Sequence, residues 1–478
     1  MKTAKWKVFC EISFFLALVF KMFSQGLRYF PVLDDYIQYG YYPLCPLSHI
    51  YFEKGTIATR PFASLFDPAV WGSFYPDLWV ALAIICVLFF LSAKLFANIF
   101  EKLNIHITPF LYAVYLLIPL GFEGTYWISA SSRICMGMFF ASLSSYLIIK
   151  ISESKKKWLW IPYVISTVLS CGFYESVMIV SCVLQFFVIM SITKNAKKRL
   201  TYLITPVLSG AGMLIYYALA KNIGVMGSRA SGFGIGNIQF SSFADQLYEV
   251  FITGGIKTTF SGALDGLRLM TQNTYGLILL GLALIVSVAC AHFGSKGKFY
   301  AKWSFCVPVG FILAVLPLAP NLLVETVWLT YRNAVTSFIG IVLMLAPLFN
   351  WLFRHRWAKF TVIFVLVLLF SLSNANELDT YKRVNARDQY LISQVTKELD
   401  QEVLSGKKDA IVVLSAKVTT KQTSFYKDHV LGVFESDWAL TGAVRANLEN
   451  TYIKKVTPVV KGTDFDATGC QVIYLKEN

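Results

Sequence analysis

The sequence predicts an all-α polytopic membrane protein with about 11 transmembrane helices and a small α/β domain at the C-terminus. Two compositional observations predict the membrane class. Of the 478 residues, 56% are hydrophobic and only 15% are charged, whereas a soluble domain carries about a quarter charged residues. A soluble chain of this size would lack the polar residues needed to cover its surface. Aromatic residues make up 16% of the chain, which argues against disorder.

Eleven mostly apolar stretches are candidate spans, since about 20 residues cross the hydrocarbon layer. They lie at about 8–30, 77–99, 107–123, 133–150, 158–173, 175–193, 202–221, 273–292, 303–320, 333–353 and 358–374. Lys and Arg cluster in alternate short loops, which the positive-inside rule places in the cytoplasm together with the N-terminus. An odd number of spans then places the C-terminus outside.

Three segments on the predicted outer side are longer than connecting loops usually are. They run from about 31 to 76, from about 222 to 272, and from 375 to the C-terminus. The composition becomes more charged after residue 374. We therefore predict a transmembrane catalytic domain over 1–374 and a soluble extracytoplasmic α/β domain over 375–478.

The C-terminal segment shows patterns of both helix and strand. Residues 378–404 predict an amphipathic helix, and a second helix is expected near Trp438–Leu448. Two short apolar runs, Ile411–Ser415 and Val472–Leu475, predict strands.

The net charge of +15 would indicate nucleic-acid binding in a soluble protein. Here the cations lie in short loops between apolar spans, so membrane lipid is the expected neighbour and no nucleic-acid partner is predicted. The sequence contains no Walker loop and no Cys/His spacing typical of a metal site. Cys45 and Cys470 both map to the outer side, and the sequence leaves open whether they pair.

The adjacent acids Asp34 and Asp35 stand where the first span leaves the bilayer. Two neighbouring carboxylates repel each other, which can raise the pKa of one of them. A carboxylate in a partly dry site can act as a general base for a hydroxyl group. The alternative is an acidic cap on a loop helix.

The same loop continues with tyrosines, including Tyr36 and Tyr39. Their rings could stack on sugars, or they could belong to the aromatic belt at the membrane interface.

Further ionisable residues lie in the first outer loop or at the outer ends of spans: Arg60, Glu123, Arg133, Glu175, Glu325 and Arg332. Ionisable groups at membrane depth are costly, which makes each a candidate for function. Arginine is suited to phosphate because its planar fork matches the oxygens. The alternative is structural pairing of Glu123 with Arg133 and of Glu325 with Arg332.

The chain contains the short motifs Leu33-Asp-Asp-Tyr, Thr59-Arg-Pro, Tyr126-Trp-Ile-Ser-Ala-Ser-Ser-Arg, Phe173-Tyr-Glu-Ser and Thr330-Tyr-Arg-Asn. With these motifs the sequence resembles the GT-C glycosyltransferases, and in particular the bacterial O-antigen glucosyltransferases of the serotype-converting Gtr group. The resemblance implies transfer of a hexose, with glucose expected, from a polyprenyl-phosphate carrier to a polysaccharide acceptor. It places the reaction on the extracytoplasmic face of the bacterial cytoplasmic membrane.

The resemblance also implies a mechanism with inversion at the anomeric carbon. Asp34 or Asp35 takes a proton from the acceptor hydroxyl, and arginine stabilises the departing phosphate, with Arg332 ranked first, Arg133 second and Arg60 third. Some GT-C enzymes use a divalent metal, and these residues leave that question open. The alternatives are a glycan polymerase, a transferase of another sugar, or a flippase or transporter for a lipid-linked glycan.

Overall fold

The structure, a computed structural model, describes residues 2–54, 56–154, 156–222, 240–271, 274–294, 299–323, 329–415 and 432–475. The protein is mostly α-helical, with a small sheet near the C-terminus. In the described residues the α-helices are, in chain order, α1 (Lys2–Phe23), α2 (Thr56–Thr59), α3 (Pro61–Phe66), α4 (Trp79–Lys102), α5 (Thr108–Leu117), α6 (Phe122–Tyr126), α7 (Ile128–Ser154), α8 (Trp160–Phe173), α9 (Glu175–Ile192), α10 (Ala196–Asn222), α11 (Phe240–Tyr248), α12 (Thr258–Thr271), α13 (Tyr275–Gly294), α14 (Trp303–Val315), α15 (Phe338–Leu352), α16 (Arg356–Glu398), α17 (Gln401–Leu404) and α18 (Asp437–Leu448).

Seven helices in the described residues are long and apolar enough to cross a membrane: Trp79–Lys102, Ile128–Ser154, Glu175–Ile192, Ala196–Asn222, Trp303–Leu322, Tyr331–Leu352 and Arg356–Glu398. Two shorter apolar helices lie at Thr108–Leu117 and Tyr275–Cys290. The mostly helical membrane class is therefore confirmed, while the number of eleven spans stays a prediction. The direct passage from α8 to α9 through extended Tyr174 matches the predicted division at residue 174.

The first predicted span, over 8–30, extends beyond the C-terminal end of helix α1. Helix α1 ends at Phe23, and Gly26 has a φ of +104°, a value that only glycine adopts readily. The chain is no longer helical when it reaches residue 30. This early exit gives the first outer loop enough chain to fold back over the ends of the helices.

The predicted span over 107–123 is broken. Helix α5 ends at Leu117, and Pro119 and Gly121, whose φ is +70°, separate it from α6. The break leaves carbonyls at the end of α5 without a partner in the helix, and buried side chains bind them instead. Lys21 Nζ donates to the carbonyl of Leu116 at 3.1 Å, and Asn374 Nδ2 donates to that of Leu117 at 2.7 Å. A buried carbonyl without a partner would be costly, so Lys21 has a structural role here.

The predicted domain boundary near residue 375 falls inside one helix. Helix α16 continues for 43 residues, from Arg356 to Glu398, because the chain between these ends contains no Gly or Pro to interrupt it. The predicted amphipathic helix over 378–404 therefore corresponds to the C-terminal part of α16, which ends at Glu398, followed by the separate helix α17. At about 1.5 Å per residue, α16 reaches well beyond a bilayer and carries the C-terminal segment on its end.

The sheet consists of three parallel strands, β1 (Asp409–Leu414), β2 (Val456–Val460) and β3 (Cys470–Tyr474), in the order β2-β1-β3. The strands predicted at Ile411–Ser415 and Val472–Leu475 and the helix near Trp438–Leu448 are confirmed as β1, β3 and α18. Sequence reasoning missed β2, whose Pro458 weakens the strand pattern. Proline is tolerated there because β2 is an edge strand.

Helix α18 packs directly on the first outer loop. A Cβ on Gly442 would lie 2.2 Å from Ile37, and one on Gly40 would lie 2.6 Å from Ala446, so both glycines are required for this close approach. The carboxylate of Asp388, on α16, accepts the backbone N–H of Val433 at 3.2 Å. These contacts hold the C-terminal domain against the loop and enclose the space between them.

Candidate active site at the end of the helix bundle

A cavity of about 740 Å³ lies between the first outer loop with its helices α2 and α3, the N-terminal part of α7, and the C-terminal domain. One wall, called here the bundle wall, contains Asp34, Gln38, Arg60, Asp67 and Arg133. The opposite wall, called the tail wall, contains Asp437, Trp438, Thr441, Arg445, Lys454 and Lys455. A well-formed cavity with convergent polar groups is a candidate binding site, and this cavity is more highly charged than most small-molecule sites.

The structure separates the two adjacent acids. Asp35 is fully buried and its carboxylate accepts four hydrogen bonds, from Tyr29 Oη at 2.5 Å, Val32 N at 3.1 Å, Ser129 N at 3.2 Å and Ser129 Oγ at 2.7 Å. These bonds tie the loop to the start of α7. Burial raises the pKa of Asp35 to about 7, and its hydrogen bonds with Tyr29 and Ser129 oppose that rise.

Asp34 points to the other side of the same turn. It is partly exposed and lines the cavity. Leu33, immediately before it, has a φ of +43°, a left-handed conformation that is uncommon for a leucine. This turn directs one carboxylate into the protein and the other into the cavity, so only Asp34 is placed to meet a substrate.

Arg133 reaches the cavity from the second turn of α7 and pairs with Asp67. Its Nε and Nη2 lie 3.1 and 2.6 Å from Asp67 Oδ2, and Nη2 also donates to Gln38 Oε1 at 3.0 Å. The side chains of the pair are 17% and 5% exposed. Burial raises the pKa of Asp67, although the Arg133 guanidinium opposes the rise.

The pairing of Arg133 with Asp67 corrects the expected pairing of Arg133 with Glu123. Sequence reasoning missed Asp67 altogether, although one signal was present. Asp67 is the only acid between residues 54 and 76 and stands in an otherwise apolar segment, where an ionisable group is costly.

Arg60 forms a second, half-buried pair beside the first. Its Nε and Nη2 donate to the two carboxylate oxygens of Glu175 at 2.9 and 2.7 Å, and its guanidinium carbon lies 4.3 Å from the centroid of the Tyr174 ring. Because Glu175 is the first residue of α9, the sharp turn from α8 presents it to the loop. The structure thus joins two of the predicted site residues, Arg60 and Glu175.

Arg332, ranked first for phosphate binding, lies elsewhere. Its Nη1 is 3.6 Å from Glu123 Oε1, its guanidinium carbon is 5.5 Å from the centroid of the Trp127 ring, and it does not line the cavity. Glu123 therefore contacts Arg332 instead of Arg133. Glu325, the expected partner of Arg332, lies outside the described residues.

Tyr36 and Tyr39 are not available for stacking on a sugar. Both are almost completely buried, the hydroxyl of Tyr36 accepts hydrogen bonds from Asn385 and Gln389 at 3.0 Å, and that of Tyr39 lies 3.4 Å from Ser132 Oγ. They fasten the loop to α16 and α7. Tyr41 and Tyr42 line the cavity instead.

Metal and disulfide chemistry receive no geometric support from the described residues. No group of three or more His, Cys, Asp or Glu side chains converges there in a way that could hold a metal ion. The nine cysteines, all within the described ranges, are free thiols, so Cys45 and Cys470 are not paired.

Comparison with known proteins assigns no family. No protein-family model matches the chain, and a search of the curated proteins found no relative. The function of the protein is therefore inferred from the geometry of the site.

Proposed function

We propose that the protein is a membrane glycosyltransferase that moves a hexose, with glucose expected, from a polyprenyl-phosphate carrier to a cell-surface polysaccharide such as O-antigen. The observation that supports this proposal is the cavity itself. It combines one partly exposed carboxylate, Asp34, with the half-buried guanidinium groups of Arg60 and Arg133. A base on the same cavity wall as fixed cations is what transfer of a sugar from a phosphate requires.

In the proposed reaction Asp34 takes the proton of an acceptor hydroxyl. The resulting oxygen attacks the anomeric carbon of the sugar, the bond from that carbon to the phosphate oxygen breaks, and the polyprenyl phosphate departs. A single displacement of this kind inverts the anomeric configuration. Asp35 serves as a positioning residue, because its four hydrogen bonds hold the turn from which Asp34 extends.

The two arginines would stabilise the negative charge that grows on the phosphate. In both pairs the hydrogen bonds to the carboxylate run through Nε and Nη2, so Nη1 is left to bind a phosphate oxygen. The acids Glu175 and Asp67 hold the guanidinium groups in position before the substrate arrives. Such preorganised charge accelerates a reaction when it interacts more strongly with the transition state than with the ground state.

The location of the ionisable groups supports transfer over transport. In a transporter, ionisable groups concentrate near the middle of the membrane. Here Asp34, Arg60, Asp67, Arg133 and Glu175 meet at the ends of helices. The proposed reaction takes place at the extracytoplasmic face of the bacterial cytoplasmic membrane, in agreement with the orientation that the basic loops predict.

The test is Asp34→Asn in the full chain reconstituted into lipid vesicles with labelled polyprenyl-phosphate glucose and polysaccharide acceptor. Loss of the base should lower the transfer rate by about 10²–10⁴-fold, with unchanged insertion and folding. Asp77→Asn, in the same loop but away from the cavity, is the matched control and should retain the rate. An Asp34→Asn variant as active as the control would refute the assignment. Donors carrying other sugars, offered in parallel, test whether the transferred hexose is glucose.

A further inference from the structure

We infer that the tail wall binds an anionic group of the acceptor, so that the acceptor is an acidic glycan carrying carboxylate or phosphate groups. This inference rests on the proposed function, because it identifies the chemical class of the second substrate. It concerns residues of the C-terminal domain and Lys54, none of which takes part in the proposed bond-breaking step.

Cations predominate in the lining of the cavity. Among the described residues, six cations line it, Lys54, Arg60, Arg133, Arg445, Lys454 and Lys455, against the three acids Asp34, Asp67 and Asp437. Arg133 is paired with Asp67, Arg60 with Glu175, and Lys455 with Asp437 at 2.9 Å. The cations that remain are Lys54, Arg445 and Lys454, and they exceed the one remaining acid, Asp34. A neutral glycan would gain nothing from this excess, whereas an anion would be attracted to it.

Arg445 is held in place before any ligand binds. Its Nε donates to the carbonyl of Ile453 at 2.6 Å and its Nη2 to that of Lys454 at 2.9 Å. Its guanidinium carbon lies 4.7 Å from the centroid of the Tyr41 ring. An arginine fixed in this way loses little conformational entropy on binding, and its planar fork suits a carboxylate or a phosphate.

The same hydrogen bonds position Lys454. They fasten the segment before β2 to α18, so Lys454 and Arg445 line one side of the cavity together. Lys54, from the first outer loop, lines the cavity as well. An anionic group between these residues would contact cations contributed by both the loop and the C-terminal domain.

The position of the tail wall favours the acceptor over the donor. The phosphate of the donor is attached to a lipid tail, which keeps it close to the helix ends where Arg60 and Arg133 lie. The tail wall belongs to the domain carried on the outer end of α16, beyond those helix ends. Trp438 and Thr441 accompany the cations there and supply an aromatic surface and a hydroxyl for a sugar ring. This wall is therefore placed for the acceptor.

The test measures equilibrium binding of two labelled probes to the full chain in lipid nanodiscs. One probe is a hexamer of galacturonic acid, and the other is the same oligosaccharide with its carboxyl groups reduced to alcohols. The charged probe should bind the unaltered protein about tenfold or more tightly than the neutral one, as expected for one or more charge-assisted contacts. Sodium chloride should weaken binding of the charged probe only.

The decisive variant is the double substitution Lys54→Gln with Lys454→Gln, which removes two cations without disturbing the bonds of Arg445. It should weaken binding of the charged probe about tenfold. The matched control is Lys407→Gln with Lys461→Gln, which removes two exposed lysines of the C-terminal domain that do not line the cavity. The control should bind the probe like the unaltered protein.

The inference would be overturned by no binding of the charged probe, by equal binding of both probes, or by equal losses in the two double variants. A loss confined to binding of polyprenyl phosphate would also overturn it, because the cations would then belong to the donor. The measurement requires no sugar transfer. A failure of the proposed reaction would therefore appear in the donor assay and leave this result unaffected.

Discussion

The most buried ion pair at the cavity end of the helix bundle differs strongly in burial from the exposed pair at the opposite end, while Arg60–Glu175, 21% and 27% exposed, and Lys7–Glu101, 30% and 30% exposed, are similar. At the end that forms the cavity, the Arg133–Asp67 side chains are 17% and 5% exposed. At the opposite end, the Lys102–Glu153 side chains are 45% and 39% exposed. Removing charges from water is costly, and a buried pair often contributes no net stability compared with apolar residues of similar size. Under the proposed function, a buried pair at the cavity serves binding or chemistry, whereas exposed pairs are typical of any protein surface.

The two ends also use different cations. Arg60 and Arg133 approach their carboxylates through two nitrogens each, while Lys7 and Lys102 contribute single ammonium groups to Glu101 and Glu153. A guanidinium fork defines direction as well as charge. At the cavity end, the two-nitrogen contacts therefore fix the relative orientation of each cation and its carboxylate. At the other end, a single ammonium group supplies charge without fixing an orientation.

The largest expected effect is that of breaking the buried pair. Arg133→Gln leaves the Asp67 carboxylate buried without its cation, which should lower the free energy of unfolding by about 3–5 kcal/mol. Chemical unfolding of the purified protein in detergent measures the loss. The double variant Arg133→Gln with Asp67→Asn removes both charges and should recover most of the stability but none of the transfer activity. If the single variant were as stable as the unaltered protein, the comparison between the two ends would fail.

Asp35 extends the comparison to a carboxylate that is buried at the cavity end among neutral hydrogen-bond donors. Its pKa of about 7 in the folded protein exceeds the value of about 3.9 in an unfolded chain. The folded state therefore holds the proton more tightly. The stability linked to this proton is complete below about pH 4 and is lost as the pH rises through about 7.

Asp35→Asn cannot ionise, so its thermal midpoint should lack this decline between pH 4 and pH 8. Thermal unfolding of both proteins across that range measures the difference, with Asp77→Asn as the exposed control. Parallel curves for the unaltered protein and Asp35→Asn would show that Asp35 does not titrate in this way.

The smallest effect is expected at the exposed end. Lys102→Gln removes one side of a solvent-exposed pair and should change the free energy of unfolding by less than about 1 kcal/mol, with full transfer activity. The same unfolding experiment measures it. A loss as large as that of Arg133→Gln would mean that burial does not distinguish the two ends.

Sequence reasoning predicted the membrane class, the importance of the first outer loop, and two strands and a helix of the C-terminal domain. These features depend on hydropathy or alternation within short windows, which are local properties. It predicted Arg60 and Glu175 as site residues but not that they pair, because 115 residues separate them. It also missed Asp67 and the tail wall, since neither Arg445 nor Lys454 belongs to a recognisable motif.

The amino-acid sequence by itself determined that the chain enters a membrane, because burial of apolar side chains is summed over each segment regardless of its neighbours. Only the tertiary structure decided which of two adjacent aspartates meets the cavity and which acid joins each arginine. A turn at Leu33 sends Asp34 and Asp35 in opposite directions. Each buried cation takes the carboxylate that the packing brings within hydrogen-bond distance. Desolvation makes these choices strong, and desolvation exists only once the helices, the loop and the C-terminal domain have closed around the charges.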